Sequence, residues 1–147
     1  ILNTDFAATL ADYAGVNAPS CSEGRSFRDN LKGETPRDWR QSMYYRYWTH
    51  HKIRPAHMGI RGHRYKLMFL YGDPLNATGS DKAPVTPSWE FYDLLADPHE
   101  NHNLYGSPTY AGEIEKMKRE LLKLRREIGD TDAANPRMQE IMDAYYW

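Results

Sequence analysis

In the segment YKLMFLY, residues 65–71, Tyr65, Leu67, Phe69 and Tyr71 fall on one side of an extended chain and Lys66, Met68 and Leu70 on the other. Side chains alternate across a strand, so this pattern calls for a sheet packed mainly on one face. Three more runs with the same aromatic and β-branched character, MYYRYW, HMGIR and WEFYDL, are separated from it by turn chemistry. They read as four strands, with Gly62-His63 turning HMGIR directly into YKLMFLY as a tight hairpin.

Helical signals flank the strands. Asn3 or Thr4 can cap a helix over DFAATLADYAGV, where Phe6, Leu10, Tyr13 and Ala14 recur at helical spacing and Gly15 supplies the stop. A short helix is expected at 27–31, ending near Gly33. Beyond the strands, Ser107 can cap and Pro108 can open a long helix with Tyr110, Ile114, Met117, Leu121, Leu124 and Ile128 as its apolar stripe and Gly129 at its end. Asn135-Pro136 starts a short amphipathic tail with Met138, Ile141, Met142 and Tyr145. The 17 residues GDPLNATGSDKAPVTPS have no periodicity, and connections of that length tend to be functional lids or disordered. With 147 residues one core is the default, and the residues by themselves describe a small α+β domain.

Charge is distributed unevenly. Residues 39–72 hold seven Lys/Arg and four of the six histidines with no Asp or Glu, which leaves about −8 on the rest of a chain whose net charge is −1. Clustered positive charge raises the local concentration of anions. Aromatic side chains interleaved with basic ones also suit single-stranded nucleic acid, but the acidic remainder argues against that partner. No stretch is long and apolar enough to span a bilayer. The first residue is Ile and helix-entry chemistry follows at once, so the expectation is an internal start within a longer polypeptide.

No self-sufficient catalytic constellation is present: there is no Gly-rich phosphate loop, no Gly-x-Ser-x-Gly elbow and no His-Glu-x-x-His helix. Cys21 is the lone cysteine and no nucleophile turn frames it. His50, His51, His57 and His63 lie on strands and loops without i,i+4 spacing or a neighbouring Cys or carboxylate ligand, so the preferred role is to face an anion and no metal is assigned. Arg61, Arg64 and Lys66 bracket the hairpin, either as a solvated edge that blocks aggregation or as part of the anion-facing surface. Asn76-Ala77-Thr78 is a formal glycosylation sequon.

These residues resemble the C-terminal region of a type I sulfatase, of the arylsulfatase family in the alkaline-phosphatase-like superfamily and especially of its bacterial glycan sulfatases. NTDFAATLADYAGV is similar to the family's DxxPTLLDLAGV helix through Asp5, Leu10, Ala14 and Gly15. EGRSFRDNLKGE is similar to DGxSLxPLLxG through Gly24, Ser26, Phe27, Leu31 and Gly33. DWRQSMYYRYW, HMGIRGHRYKLMFLYG and WEFYDLLADPHENHNLYG follow in the family's order.

The resemblance implies an α+β fold with a four-stranded antiparallel sheet packed by a long C-terminal helix, and an N-terminal helix left over from the catalytic domain. Residues 1–38 would be the end of that domain and its connector, and 39–147 the C-terminal subdomain. It implies a part of a sulfuric ester hydrolase, acting on sulfated carbohydrate, that contributes one wall of the substrate pocket and no catalytic residue. Calcium and a formylglycine made from a Cys/Ser-x-Pro-x-Arg motif would lie upstream, in the catalytic domain that is this chain's expected partner. His57, His51, His50 and Arg61 are the expected substrate contacts, from similarity to an HxVxAHxGIR segment, with His50 and His51 competing for its first histidine. Periplasmic or secreted homologues are common, the compartment of this chain is left open, and so is self-association. The alternative reading is a free-standing anion- or glycan-binding module.

Overall fold

The computed structural model describes residues 1–147, the Ala134 side chain excepted, as two compact units, Ile1–Arg40 and Gln41–Trp147. In the first, α1 spans Asp5–Ala14 and α2 spans Arg28–Leu31. Gly15 ends α1 in the left-handed conformation at φ 68°, where only glycine is free of a Cβ penalty. The helix turns Asp5, Ala8 and Thr9 inward and leaves Phe6, Leu10 and Tyr13 exposed, so the expected apolar stripe faces solvent in this chain. What turns it is Asp5: its carboxylate accepts from the Leu2 and Arg25 amides at 2.6 and 3.0 Å and from both terminal nitrogens of Arg40 at 2.6 and 2.8 Å. Burial raises the Asp5 pKa, but Arg40 and the two amides outweigh it and hold the carboxyl below its ordinary value.

In the second unit, β1 (Ser42–Tyr47), β2 (His57–Gly62), β3 (Tyr65–Leu70) and β4 (Ser88–Asp93) form an antiparallel sheet in sequence order. Each strand lies within one residue of its expected bounds. The β2–β3 hairpin turns at His63–Arg64, one residue later than expected, because Gly62 still pairs with Ser42. β2 and β3 are therefore central strands, and Arg61, Arg64 and Lys66 do not form a solvated sheet edge.

One face of the sheet is apolar. Met58, Ile60, Leu67, Phe69 and Phe91 are at most 1% exposed, and each such side chain contributes about 1.5–3 kcal/mol on burial. They meet Ile114, Met117 and Leu121 of α3 (Ala111–Glu127), which a single 3-10 turn at Pro108–Tyr110 precedes, and Met138, Ile141 and Met142 of α4 (Pro136–Tyr145). Asn135 caps α4 through its side chain, as the Asn-Pro signal predicts. Ile128, placed on the expected stripe, is half-exposed, and Lys118 and Arg125 are buried in its stead. The free edge of β4 is closed by Asn103, whose amide accepts from the Phe91 N–H and donates to the Trp89 carbonyl, both at 3.0 Å. Among the described residues no helix is long and apolar enough to cross a membrane.

Candidate substrate-facing wall

The second face of the sheet carries Met43, Tyr45 and Tyr47 from β1, His57, Gly59 and Arg61 from β2, and Lys66, Met68 and Leu70 from β3, as the antiparallel register requires. α3 and α4 pack on the other, apolar face. Lys66 donates to Glu100 at 2.5 Å and the Tyr92 hydroxyl to Glu90 at 3.0 Å, so two of its polar positions are internally paired. Arg61 is exposed and holds no carboxylate, whereas Arg64 grips Asp93 at 2.8 Å.

His57 sits opposite Tyr47 in the ladder, and their rings stack with centroids 5.4 Å apart and 23° between planes. Tyr45 meets His57 edge-on at 5.8 Å. The imidazole Nδ1 lies 2.8 Å from the Pro55 carbonyl. A carbonyl only accepts, so Nδ1 carries the proton and Nε2 is the free nitrogen. That nitrogen can accept from a hydroxyl, or donate to an anionic oxygen when the ring is doubly protonated.

The other expected histidines separate. His50 is wholly buried, with its Nδ1 accepting from the Ala56 amide at 3.3 Å and its Nε2 donating to the Ala83 carbonyl at 3.1 Å. Both ring nitrogens are committed, and the ring fastens two loops together. The same junction has the His50 amide on the Ser80 hydroxyl at 2.8 Å and the Asp81 amide on the His50 carbonyl at 2.7 Å. The long 72–87 connection is thus pinned along its length, with Gly72 bonded to Ala56 and Val85 to Gly72. His51 lies in the connection between β1 and β2, 3.7 Å from Asp81 of the 72–87 connection and bridged by backbone hydrogen bonds to Arg54 across a Lys52-Ile53 turn. Its Nδ1 faces a carboxylate rather than open space. Arg61 shares the sheet face of His57 four residues along β2, about 13 Å away at the usual strand rise.

The structure therefore brings His57, Tyr47 and Tyr45 together, sets His51 against Asp81 in the β1–β2 connection, puts Arg61 farther along the face of His57 and takes His50 out of it. Tyr47 and Tyr45 had no separate signal in the motif; their period-2 spacing opposite His57 becomes visible once the register is known. Among the described residues no group of three or more His, Cys, Asp or Glu could hold a metal ion, and Cys21 is free and exposed.

The family model described as N-sulphoglucosamine sulphohydrolase, C-terminal, matches residues 1–127. An N-acetylglucosamine-6-O-sulfatase of Bacteroides thetaiotaomicron is 35% identical over 136 residues, which are 89% of this chain and 22% of that protein. A structure solved in complex with its substrate D-glucosamine-2-N,6-O-disulfate superposes with a TM-score of 0.69 at 33% identity, covering 89% of this chain and 25% of that one. A phosphonate monoester hydrolase of Silicibacter pomeroyi shares the fold alone, at 23% identity and a TM-score of 0.61 over 84% of this chain and 24% of its own. The chain thus spans about a quarter of the length of these relatives.

Proposed function

The chain belongs to the N-sulphoglucosamine sulphohydrolase C-terminal family, and from that premise we propose that it is the C-terminal part of a sulfatase acting on sulfated sugars. Residues 1–38 would close the catalytic domain, and 39–147 would form the subdomain that carries the recognising wall. The observation that carries this reading is His57, whose Nε2 is left free while Pro55 and Tyr47 fix the ring.

The wall's part is binding and orientation. The His57 Nε2 hydrogen-bonds a sugar hydroxyl, the His51 ring lines the rim and the unpaired Arg61 guanidinium draws the anionic substrate toward the face. A sulfate ester is negatively charged before and after hydrolysis, so an acid-free cationic stretch suits it at both stages. Binding is the only role assigned to the wall's side chains, and no step of the reaction is assigned to them. Calcium and formylglycine, held by a catalytic region outside this chain, would supply the nucleophile and neutralise the sulfate oxygens.

The test is sulfate release. The isolated chain should release none from an aryl sulfate, and a polypeptide joining it to a region with a Cys/Ser-x-Pro-x-Arg motif should. Turnover by the isolated chain would overturn the assignment, and binding of sulfated sugar without any partner that turns it over would favour the free-standing module.

A further inference from the structure

Arg54 is an exposed cation over an aromatic ring, with no carboxylate partner among the described residues. Its guanidinium lies 4.8 Å from the centre of the Tyr47 ring, the same ring that stacks on His57 at 5.4 Å. Its backbone closes the two-residue turn with His51: the Arg54 amide donates to the His51 carbonyl at 2.9 Å, and the His51 amide returns the bond at 3.1 Å. The turn is held from below by Asp81, which accepts from the Lys52 amide at 2.9 Å. That carboxylate is engaged by the Lys52 amide and faces His51, and among the described residues no carboxylate pairs with Arg54. Arg46, Arg64, Arg125 and Arg137 of the same unit each hold an Asp.

Tyr47 thus touches both a histidine whose Nε2 and an arginine whose guanidinium have no hydrogen-bond partner among the described residues. The two groups lie no farther apart than those two ring separations together, a span a single substituted sugar can cover. Arg presents planar paired donors that match a sulfate or carboxylate, and stacking on Tyr47 pre-orders the side chain, so little is lost on binding.

Resting on the reading of this face as a sugar-sulfate wall, we infer that Arg54 is a specificity-determining residue that binds a second anionic group of the substrate, next to the part of the sugar that meets His57. The ligand class is a sugar with two negative groups, the second being sulfate or carboxylate. A singly sulfated sugar would use His57 and leave Arg54 idle.

The test titrates the chain with N-acetylglucosamine 6-sulfate, with glucosamine 2-N,6-O-disulfate and with N-acetylglucosamine 6-sulfate linked to glucuronate, following His and Arg side-chain nitrogens by NMR. One charge-assisted contact predicts that Arg54→Met weakens the doubly charged probes by about tenfold and the singly charged one by less than about twofold. Arg54→Lys, which keeps the charge and loses the planar fork, should fall between. A loss confined to the disulfate names sulfate as the second group, and one confined to the glucuronate probe names carboxylate. Equal effects on all three probes, or none, would overturn the role of Arg54 while leaving the wall intact. Failure of the unaltered chain to bind any probe would overturn the wall reading and this inference with it.

Discussion

The Tyr45 ring lies across Gly59. A Cβ built on Gly59 would come within 2.8 Å of the ring's Cε1 and Cζ and of its hydroxyl oxygen. Glycine at the centre of β2 is therefore what lets an aromatic side chain lie flat on the face of the sheet opposite α3 and α4, with its edge partner His57 beside it.

Gly59→Ala should force the Tyr45 ring to swing outward, because the obstructing atoms belong to the far end of its side chain. Such overpacking costs about 1–2 kcal/mol. Urea denaturation measures the loss, and a moved His57 ring resonance reports the swing. Unchanged stability with an unmoved His57 would contradict the contact.

His50 and His57 should behave oppositely. His50→Ala removes the partner of the buried Ala56 amide and of the Ala83 carbonyl, a loss of about 2–3 kcal/mol. His57→Ala breaks one half-buried bond to Pro55 and should cost about 1 kcal/mol or less. Unfolding midpoints of the two variants decide it, and equal losses would contradict the division of labour.

Asp130 binds two residues of β1. Arg46 donates to it at 2.6 Å, and the Tyr44 hydroxyl donates to its other oxygen. The Arg46 side chain is 6% exposed and stacks 3.6 Å from the Trp48 ring, so removing its carboxylate leaves a largely buried charge without its ion pair. Asp130→Ala should cost about 3–5 kcal/mol, the usual result of leaving one partner of a buried pair. Thermal unfolding checks this, and a loss below about 1 kcal/mol would show the pair to be dispensable.

Lys118 gives stability an unusual pH dependence. Its ammonium donates to the Tyr146 carbonyl at 2.5 Å and lies 4.2 Å from the Trp89 ring, without a carboxylate partner. Burial pushes its pKa down to about 8 from 10.5. Between those values the unfolded chain holds a proton that the folded chain does not, so stability should rise as pH increases from 8 toward 10.5. The rise is the relief of a cost that is fully present below pH 8. Lys118→Met should abolish it, so the difference in urea midpoint between variant and parent should shrink or reverse between pH 7 and 9.5 in the variant's disfavour. A pH-independent difference would contradict the shift.

Much of this fold is legible in the sequence because period-2 alternation is local. The 65–71 run shows its buried face directly, and the Asn135-Pro136 and Gly15 signals depend only on backbone chemistry. What is not legible depends on pairing between distant residues. Asp5 turns inward because Arg40 is there to meet it, and Lys118 and Arg125 are buried because Tyr146 and Asp132 receive them. The same holds at the site: His50 and His51 are adjacent and look equivalent, yet only His50 meets Ala83 and Ala56, a fact set by where the 72–87 connection returns. The resemblance to sulfatases located the segment; the register and the Pro55 carbonyl distinguish its histidines.

On the proposed function, His57 contacts the sugar and a catalytic region outside this chain carries out the chemistry. The most direct measurement is kcat/KM of His57→Ala, in a polypeptide uniting this chain with such a region, on glucosamine 6-sulfate and on an aryl sulfate. Loss of one substrate hydrogen bond predicts a fall of about ten- to a hundredfold for the sugar and little change for the aryl ester. An equal fall for both substrates, or no fall for the sugar, would contradict it.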